Sequence, residues 1–293
     1  MLGLKLWGGL GNQMFIYALY KKLKLMNRDI RIDDSDLVKS GNQHNGEELR
    51  RVFGLDFETL SAKDKEKIIG RSFYKRINRK ILRTIGSEWG DERVIFDKEN
   101  FDYTIYGLDN RYLVGYWQSW KYFFDIKDDL FEDFTFIGWE NDKNKRIIDE
   151  IINSNSVSIH VRRGDYLTDD NINVLGNVCS QAYYRKCINY INDRIDSPRF
   201  FIFSNDIQWC IDNFNNSENM IFVDWNTGNM DFCDMFLMSY CKHSIIANST
   251  FSWWGAYLNR NKNKIICSPE KWVNKKEALE DIICDDWERI KGE

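Results

Sequence analysis

The chain has 293 residues, of which 43% are hydrophobic and 29% charged, so it can bury the core of one large domain or of two ordinary ones. Its formal net charge of −4 is not the basic excess of a nucleic-acid-binding protein, and we expect no nucleic acid as a partner. No apolar run approaches the roughly 20 residues of a transmembrane helix, and no signal peptide is apparent, so we expect no transmembrane segment.

The first half of the chain predicts a strand, a glycine-rich loop and a helix, followed by a less regular region. Residues 2–7 are typical of a short strand, and apolar residues at helical spacing predict a helix over 12–25. The further predictions are strands at 30–32, 94–96 and 112–117, mostly helical structure over 47–83, and a helix over 119–130.

From residue 144 onward, predicted strands and helices alternate with short turns. The strands are almost continuous apolar runs, which is typical of a parallel sheet covered by helices on both faces. The predicted strands are 156–161, 200–204, 220–223, 244–247 and 264–267, and the predicted helices are 144–153, 180–195, 207–214, 230–242, 251–259 and 275–289. We therefore predict two α/β domains, 1–150 and 151–293, with the C-terminal helix able to pack back on the first.

One loop combines a strand end with two arginines. Residues 157–166 read Val-Ser-Ile-His-Val-Arg-Arg-Gly-Asp-Tyr, so the strand ends at Arg162 and Arg163. Open α/β sheets bind ligands at the carboxyl ends of their strands, and forked guanidinium groups match the paired oxygens of phosphate. The loop therefore predicts an anionic ligand such as a diphosphate, although both arginines could also be ordinary surface charges.

Two glycine- or serine-containing loops also follow predicted strands. Gly8-Gly9-Leu10-Gly11-Asn12-Gln13 precedes a helix, where glycines allow close backbone approach and free N–H groups favour an anion; a tight turn explains the string equally well. Residues 248–255 read Asn-Ser-Thr-Phe-Ser-Trp-Trp-Gly. Ser249 and Thr250 suit a helix N-cap, and with the other small polar residues they could complete a diphosphate cradle. Trp253 and Trp254 are predicted core residues.

Three acidic positions have competing interpretations. Asp206, at the end of Phe203-Ser204-Asn205-Asp206, could cap the next helix, which we favour slightly, or contact a sugar hydroxyl. Asp234 could accept both edge N–H groups of a guanine, but the pattern alone favours a solvated helix start. Asp34-Ser35-Asp36 has a spacing that metal-dependent sugar transferases use, yet such triplets are common in acidic chains, and we expect no metal site.

Taken together, these strings resemble the α-1,2-fucosyltransferases of glycosyltransferase family eleven. The glycine loop and the strings at 160–166, 203–206 and 248–255 occur in the family's order and span nearly the whole chain, with Asn205 where aspartate is frequent. The resemblance implies a GT-B-like fold, with two Rossmann-type α/β domains and the donor site in the cleft between them. It also implies inverting, metal-independent transfer of L-fucose from GDP-β-L-fucose to the 2-hydroxyl of a terminal β-galactoside.

The resemblance further implies roles for individual residues. Arg162 would hold the β-phosphate, Arg163 would support it and Asp165 would hold the loop, and these three are the predicted catalytic residues. His160 and Asp234 would read guanine or ribose. Ser249, Thr250 and Phe251 would bind the phosphates. The predicted donor-binding residues are Gly9, Gly11, Asn12, His160, Arg162, Asn205, Asp206, Asp234, Ser249, Thr250, Phe251 and Ser252.

Two other functions remain open on the sequence: a fucosyltransferase of α-1,6 or protein O-linked specificity, and a non-catalytic module that binds a GDP-sugar or glycan. The expected partners are GDP-fucose and a galactose-terminated oligosaccharide or lipid-linked glycan, with no cofactor. We expect the first domain to contact the acceptor near Tyr116, Trp117 and Trp120. We expect a bacterial enzyme in the cytoplasm, and loose association with the membrane stays open.

Overall fold

The computed structural model describes residues 1–39, 45–70, 92–214, 218–275 and 279–292. The chain forms two compact units, Met1–Thr135 and Phe136–Glu293. The division precedes the boundary that we predicted at residue 150. The reason is the helix Asp142–Asn153, which packs on strand Asn155–Val161 and on helix Phe232–Tyr240 of the second unit.

The strands described in the first unit form a four-stranded parallel sheet. Its strands are Leu2–Lys5 (β1), Ile30–Asp33 (β2), Val94–Phe96 (β3) and Tyr112–Val114 (β4), in the order β2-β1-β4-β3. The α-helices described in this unit are Leu10–Leu25 (α1), Ser35–Lys39 (α2), Leu49–Phe53 (α3), Ala62–Ile69 (α4) and Lys127–Asp133 (α5). The part of the predicted helical stretch that covers residues 71–91 lies outside the described residues.

The segment over 119–130, which we predicted to be one helix, is not a continuous helix. Two short 3₁₀ turns, Trp120–Tyr122 and Phe124–Ile126, precede α5. Ser119 accepts the backbone N–H of Lys121 and so caps the first turn. Because Tyr122 and Phe123 are both buried as consecutive residues, the segment turns inward twice and does not present a single helical face.

The strands described in the second unit form a six-stranded parallel sheet. They are Asn155–Val161 (β5), Pro198–Ser204 (β6), Met220–Val223 (β7), His243–Ile245 (β8), Ile266–Pro269 (β9) and Glu288–Ile290 (β10), in the order β10-β9-β8-β5-β6-β7. The α-helices described here are Asp142–Asn153 (α6), Gln181–Asn192 (α7), Ile207–Asn213 (α8), Phe232–Tyr240 (α9) and Thr250–Tyr257 (α10).

The strand order of the second sheet marks where a ligand should bind. The chain runs outward from β5 through β6 to β7 and then crosses to β8 on the other side of β5. Such a reversal separates the loops that leave neighbouring strands, and ligands of open α/β sheets bind at this point, outside the carboxyl ends. The loops after β5 and β8 are the arginine loop and the Asn-Ser-Thr-Phe-Ser loop.

The prediction of a C-terminal helix over 275–289 is wrong for the part that the structure describes. Glu280–Ile282 is a 3₁₀ turn, and β10 pairs in parallel with β9. Trp287 is buried beside Trp253, with ring centroids 5.5 Å apart. These contacts place the described part of the C-terminal segment in the core and sheet of the second unit.

Two further properties concern the surroundings of the chain. No helix in the described ranges is both long enough and apolar enough to cross a membrane. All seven cysteines are free thiols, and every one except the half-buried Cys179 is buried.

Candidate active site

A cavity of about 360 Å³ opens at the carboxyl ends of β5, β6 and β7 in the second unit. Five of the predicted donor-binding residues line it: His160, Arg162, Asn205, Asp234 and Phe251. They come from four different connections of the sheet, so the fold brings together residues that are up to 91 positions apart, between His160 and Phe251. The cavity volume lies in the usual range for a small-molecule site.

Arg162 supplies the positive charge of this cavity. Its Nε lies 2.9 Å from a carboxylate oxygen of Asp165, and its guanidinium carbon lies 5.8 Å from the centre of the Tyr166 ring. Within the described parts of the chain, the two terminal nitrogens of Arg162 form no ion pair. Asp165 thus orients the guanidinium group by one edge and leaves the other edge for an anion.

Arg163 faces a different environment, although it is the next residue. Its Nε lies 3.3 Å from Asp206, and its guanidinium carbon lies 4.2 Å from the centre of the Trp209 ring. Asp206 accepts the backbone N–H of Trp209 and caps α8, which confirms the capping interpretation of this aspartate. Neither Arg163 nor Asp206 lines the cavity, so the structure does not bring them to the predicted donor site.

The arginine loop and the Phe-Ser-Asn-Asp loop hold each other in place. The Asn205 Oδ1 atom accepts the backbone N–H of Arg163 at 3.0 Å. A Cβ atom on Gly164 would lie 2.5 Å from Asn205 Nδ2, closer than non-bonded atoms can approach. A side chain at position 164 would therefore push the amide end of Asn205 out of its present place.

His160 is the last buried polar residue of β5 that faces the cavity. Burial and then the charge of Arg162 lower the pKa of His160 to about 3, so the imidazole is neutral at physiological pH. Its Nδ1 atom is buried and has no hydrogen-bond partner in the described ranges. The ring lies 5.6 Å from that of Phe251. A neutral ring with one uncommitted nitrogen is suited to a polar group of a ligand.

Asp234 lies in the first turn of α9 and faces the same cavity. The pKa of Asp234 is raised to about 8, because burial and the charge of the neighbouring Asp231 together outweigh a hydrogen bond from Asn226 that lowers it. The Asn226 amide donates to Asp234 Oδ1 at 2.9 Å. Asp234 is half-buried in the cavity wall and accepts from Asn226, so it is not the solvated helix start that the sequence pattern alone favoured.

Some polar groups of the 248–255 loop are hydrogen-bonded within the protein, and others are left available to a ligand. The Ser252 hydroxyl is buried and donates to the carbonyl oxygens of Ala247 and Ser249, so it is not available to a phosphate. Ser249 occupies the N-cap position of α10, but its side chain makes no capping hydrogen bond. The half-buried Thr250 follows it. The first N–H groups of α10 are thus left without a side-chain cap, next to Phe251 in the cavity wall.

The glycine loop of the first unit is held together by an amide that is not exposed. Gln13 is buried, and its Nε2 donates to the carbonyl oxygens of Gly8 and Gly46. Asn12 is half-buried and accepts a hydrogen bond from Gln118 at 2.7 Å. Gly9 is the N-cap of α1. The roles predicted for Gly9, Gly11 and Asn12 toward the diphosphate stay predictions.

The aromatic region predicted to bind the acceptor is only partly accessible. Trp117 is buried, whereas Trp7 and Tyr116 are half-buried and stack with ring centroids 4.4 Å apart. The Asp97 carboxylate accepts the backbone N–H of Trp117, whose φ is +55°, and so fixes the turn that presents Tyr116.

The acidic triplet in the first unit is occupied by cations of the protein itself. Asp34 lies 3.4 Å from Arg50, and Asp36 lies 2.9 Å from Lys5. Among the described residues, no group of three or more His, Cys, Asp or Glu side chains could hold a metal ion.

Sequence reasoning missed the segment after β7. Asp224, Asn226, Thr227, Gly228 and Asp231 all line the cavity. Their position after a predicted strand, on the same sheet edge as the arginine loop, is the signal that could have identified them. Their composition does not distinguish this segment from other polar loops.

Comparison with known proteins agrees with this architecture. The family model described as Glycosyl transferase family 11 matches residues 64–291. An α-1,2-colitosyltransferase of Escherichia coli is 33% identical over 295 residues, which cover 98% of each chain. The galactoside α-(1,2)-fucosyltransferase 2 of Rattus norvegicus is 25% identical over 262 residues, 86% of this chain and 65% of that protein.

A solved structure supports the fold class. The crystal structure of the fucosyltransferase NodZ from Bradyrhizobium matches with a TM-score of 0.50 and 13% identity, over 87% of this chain and 92% of that one. This likeness shows the fold, which is the GT-B-like α/β class predicted from the sequence. With a family match that covers most of its length, the chain belongs to glycosyl transferase family 11 and is a glycosyltransferase.

Proposed function

We propose that this glycosyltransferase moves L-fucose from GDP-β-L-fucose to the 2-hydroxyl of a terminal β-galactoside, with inversion and without a metal ion. One observation carries the proposal: a single cavity combines the uncommitted edge of Arg162 with the carboxyl group of Asp234. A nucleoside diphosphate needs a cation at its phosphates, and a guanine needs an acceptor pair at its N–H edge.

The donor would be bound at three points. Arg162 and the uncapped N–H groups of α10 would hold the diphosphate. The ionised carboxylate of Asp234 would accept N1–H and the 2-amino group of guanine. His160 Nδ1 and the Phe251 ring would contact the base or the ribose.

Catalysis would depend on stabilising the leaving group. As the bond between the fucose anomeric carbon and the phosphate oxygen breaks, negative charge develops on GDP and positive charge on the sugar. Arg162, already oriented by Asp165, would meet that negative charge without reorganisation. The acceptor hydroxyl would attack the opposite face of the anomeric carbon, which inverts its configuration.

Two carboxylates of the neighbouring loops could serve as a base for the acceptor proton, and both are engaged. Asp165 is paired with Arg162, and Asp206 is occupied by Arg163 and by the cap of α8. These engagements favour late transfer of the proton to a phosphate oxygen of the departing GDP.

For the acceptor itself, the stacked Trp7 and Tyr116 of the first unit offer an apolar face that suits a galactose ring.

A second candidate donor is GDP-colitose, because the Escherichia coli relative is named as an α-1,2-colitosyltransferase. Colitose is fucose without its 3-hydroxyl group. A site that hydrogen-bonds this hydroxyl rejects the deoxy sugar by about 10⁴-fold or more, whereas a site with an apolar wall discriminates weakly. The ratio of kcat/KM for the two donors therefore separates the two candidates.

The test is a transfer assay with a panel of β-galactoside acceptors. GDP-fucose and GDP-colitose are supplied separately, with and without a chelator, and the product linkage is determined by NMR. We expect an α-1,2-linked product whose rate does not fall with chelator. An α-1,6 or protein O-linked product would contradict the proposed linkage, and GDP binding without transfer to any acceptor would favour a binding module.

A further inference from the structure

We propose that Asn226 is a positioning residue, which holds the carboxyl group of Asp234 in the orientation that reads the guanine edge. The inference rests on the proposed function, because it assigns to Asn226 the nucleotide selectivity of the same cavity. Asn226 itself is not among the site residues predicted from the sequence; it belongs to the polar segment after β7.

The amide of Asn226 has all of its hydrogen-bonding groups assigned. It is buried, and its Nδ2 donates to Asp234 Oδ1 at 2.9 Å and to Asn144 Oδ1 at 3.1 Å. Its Oδ1 accepts from Asn141 Nδ2 at 3.3 Å. With two acceptors on one side and a donor on the other, the amide can adopt only one of its two orientations.

The partner of Asn226 is itself fixed by the core of the second unit. Asn144 is fully buried on α6, its Oδ1 also accepts from Trp225 Nε1 at 2.8 Å, and its Nδ2 donates to the carbonyl of Trp139 at 2.9 Å. The network therefore runs from the interior of α6 to a carboxyl group in the cavity wall. A side chain supported in this way loses little further freedom when a ligand binds.

The geometry leaves Asp234 suited to two donors. Asn226 uses one lone pair of Oδ1, so an ionised carboxylate retains acceptor sites on both oxygens. The N1–H and the 2-amino group of guanine are parallel donors that match such a fork. Without Asn226, the carboxyl group could rotate, and it would lose the donor that favours its ionised form.

Other charged groups near Asp234 also influence the ionisation of its carboxyl group. The cavity also contains Asp224, Asp231, Arg162 and the neutral His160, and the thiol of Cys233 lies next to Asp234 in the chain. Asp231 and burial oppose ionisation of Asp234, whereas Asn226 supports it. Removal of the amide should therefore raise the pKa of Asp234 further, so that guanine reading requires a higher pH.

The experiment compares binding of GDP and of inosine diphosphate, which lacks the 2-amino group, by calorimetry across pH 6–9. Wild type should prefer GDP by about tenfold or more, because a hydrogen bond to a charged acceptor would be lost with inosine. Asn226→Ala should lose most of this preference, and the pH midpoint of its GDP affinity should move upward. Asn226→Asp keeps the shape without the amide donor and should shift the midpoint in the same direction.

The control is Asn259→Ala. Asn259 is a buried asparagine of the same unit whose amide donates to the carbonyl of Cys241 at 2.7 Å, and it does not line the cavity. This variant should lose stability but keep the GDP preference and the pH midpoint. Asn226 variants that keep both properties would overturn the positioning role while leaving the proposed function intact. A wild-type protein that does not bind GDP would overturn the proposed function, and the role of Asn226 with it.

Discussion

Arg162 and Arg163 are neighbours in the chain, but the structure separates their surroundings. Arg162 lines the cavity, and its terminal nitrogens form no ion pair with the residues that the structure describes, whereas Arg163 is engaged by Asp206 and stacks on Trp209. Sequence reasoning placed both at the phosphates. The alternation of side-chain direction along a strand does not continue into a loop, so the sequence could not show that the two side chains point to different surroundings. The resemblance gave Arg162 the main role and Arg163 a supporting one, but the sequence did not indicate that Arg163 pairs with Asp206 outside the cavity.

This separation leads to a prediction for the two alanine variants. Arg162→Ala should lower kcat by roughly 10²–10³-fold with the fold retained, as for loss of one preorganised charge-stabilising donor. Arg163→Ala should lower stability by no more than about 1 kcal/mol and kcat far less, because its ion pair is partly exposed. Steady-state kinetics with circular dichroism as a folding control checks both. Equal loss of kcat in the two variants would contradict the separation.

Asp234 leads to a prediction about pH and stability. Its pKa is raised from 3.8 to about 8 in the folded protein, so its contribution to stability is fully present below pH 3.8 and is lost as the pH rises through 8. Asp234→Asn should therefore be more stable than wild type at pH 8, by about 1–3 kcal/mol, and nearly equal at pH 4. The same variant should bind GDP poorly. Urea unfolding at both pH values measures the difference, and a variant less stable at pH 8 would contradict it.

Some site residues could be predicted individually and others could not. Arg162 and Phe251 line the cavity as their strings indicated, whereas the Ser252 hydroxyl is donated to backbone carbonyls. Serine in a helix cap and serine at a phosphate have the same sequence signature, because both need a short hydroxyl beside free N–H groups. Asn226 had no signature, since its role depends on Asn144, 82 residues away.

At the scale of elements, the loops after β5 and β6 form one unit. Gly164 allows Asn205 to approach, and Asn205 in turn holds the backbone of Arg163. This coupling is invisible in the sequence, where the two strings are separated by a helix and a strand. The effect of a side chain at position 164 would thus be felt through Asn205, since the backbone conformation of Gly164 does not itself require glycine.

Gly164→Ala should therefore displace the Asn205 side chain and disturb the arginine loop. Because Asn205 is exposed, we expect a loss of stability below about 1 kcal/mol but a clear fall in kcat. Asn205→Ala alone should also lower kcat, and the double variant should be no worse than the more severe single variant, because both changes break the same contact. Additive losses of kcat in the double variant would contradict the coupling.

The predicted bounds are accurate for three strands of the second sheet. β5, β6 and β7 lie within two residues of their predicted bounds, because strands covered on both faces are continuous apolar runs. The predictions of helices over 119–130 and 275–289 were wrong for the same reason. Closely spaced apolar and aromatic residues occur there, and tertiary packing buries them through turns and a short edge strand, not through a helical face.

At the scale of the whole molecule, the C-terminal segment belongs to the second unit. Trp287 packs against Trp253, whose Nε1 donates to the carbonyl of Ile282 at 2.6 Å. The family, the fold class and the two α/β units could be predicted, since four strings in fixed order identify them. The division at Thr135 could not be, because α6 precedes the first strand of its own sheet.

Trp287→Ala should lower the stability of the second unit by roughly 3–5 kcal/mol, as for other large buried aromatic residues. Hydrogen exchange followed by mass spectrometry should show lost protection within 136–293 and little change within 1–135. Loss of protection mainly in the first unit would instead support the C-terminal packing that we predicted from the sequence.

The central claim is that Arg162 and Asp234 hold the two ends of a GDP moiety in the cavity of the second unit. A crystal structure of the protein with GDP tests it most directly. We expect a terminal nitrogen of Arg162 within about 2.7–3.2 Å of a β-phosphate oxygen, and the Asp234 carboxylate at the N1–H and 2-amino edge of guanine. A diphosphate bound elsewhere, with Arg162 directed to solvent, would contradict the account.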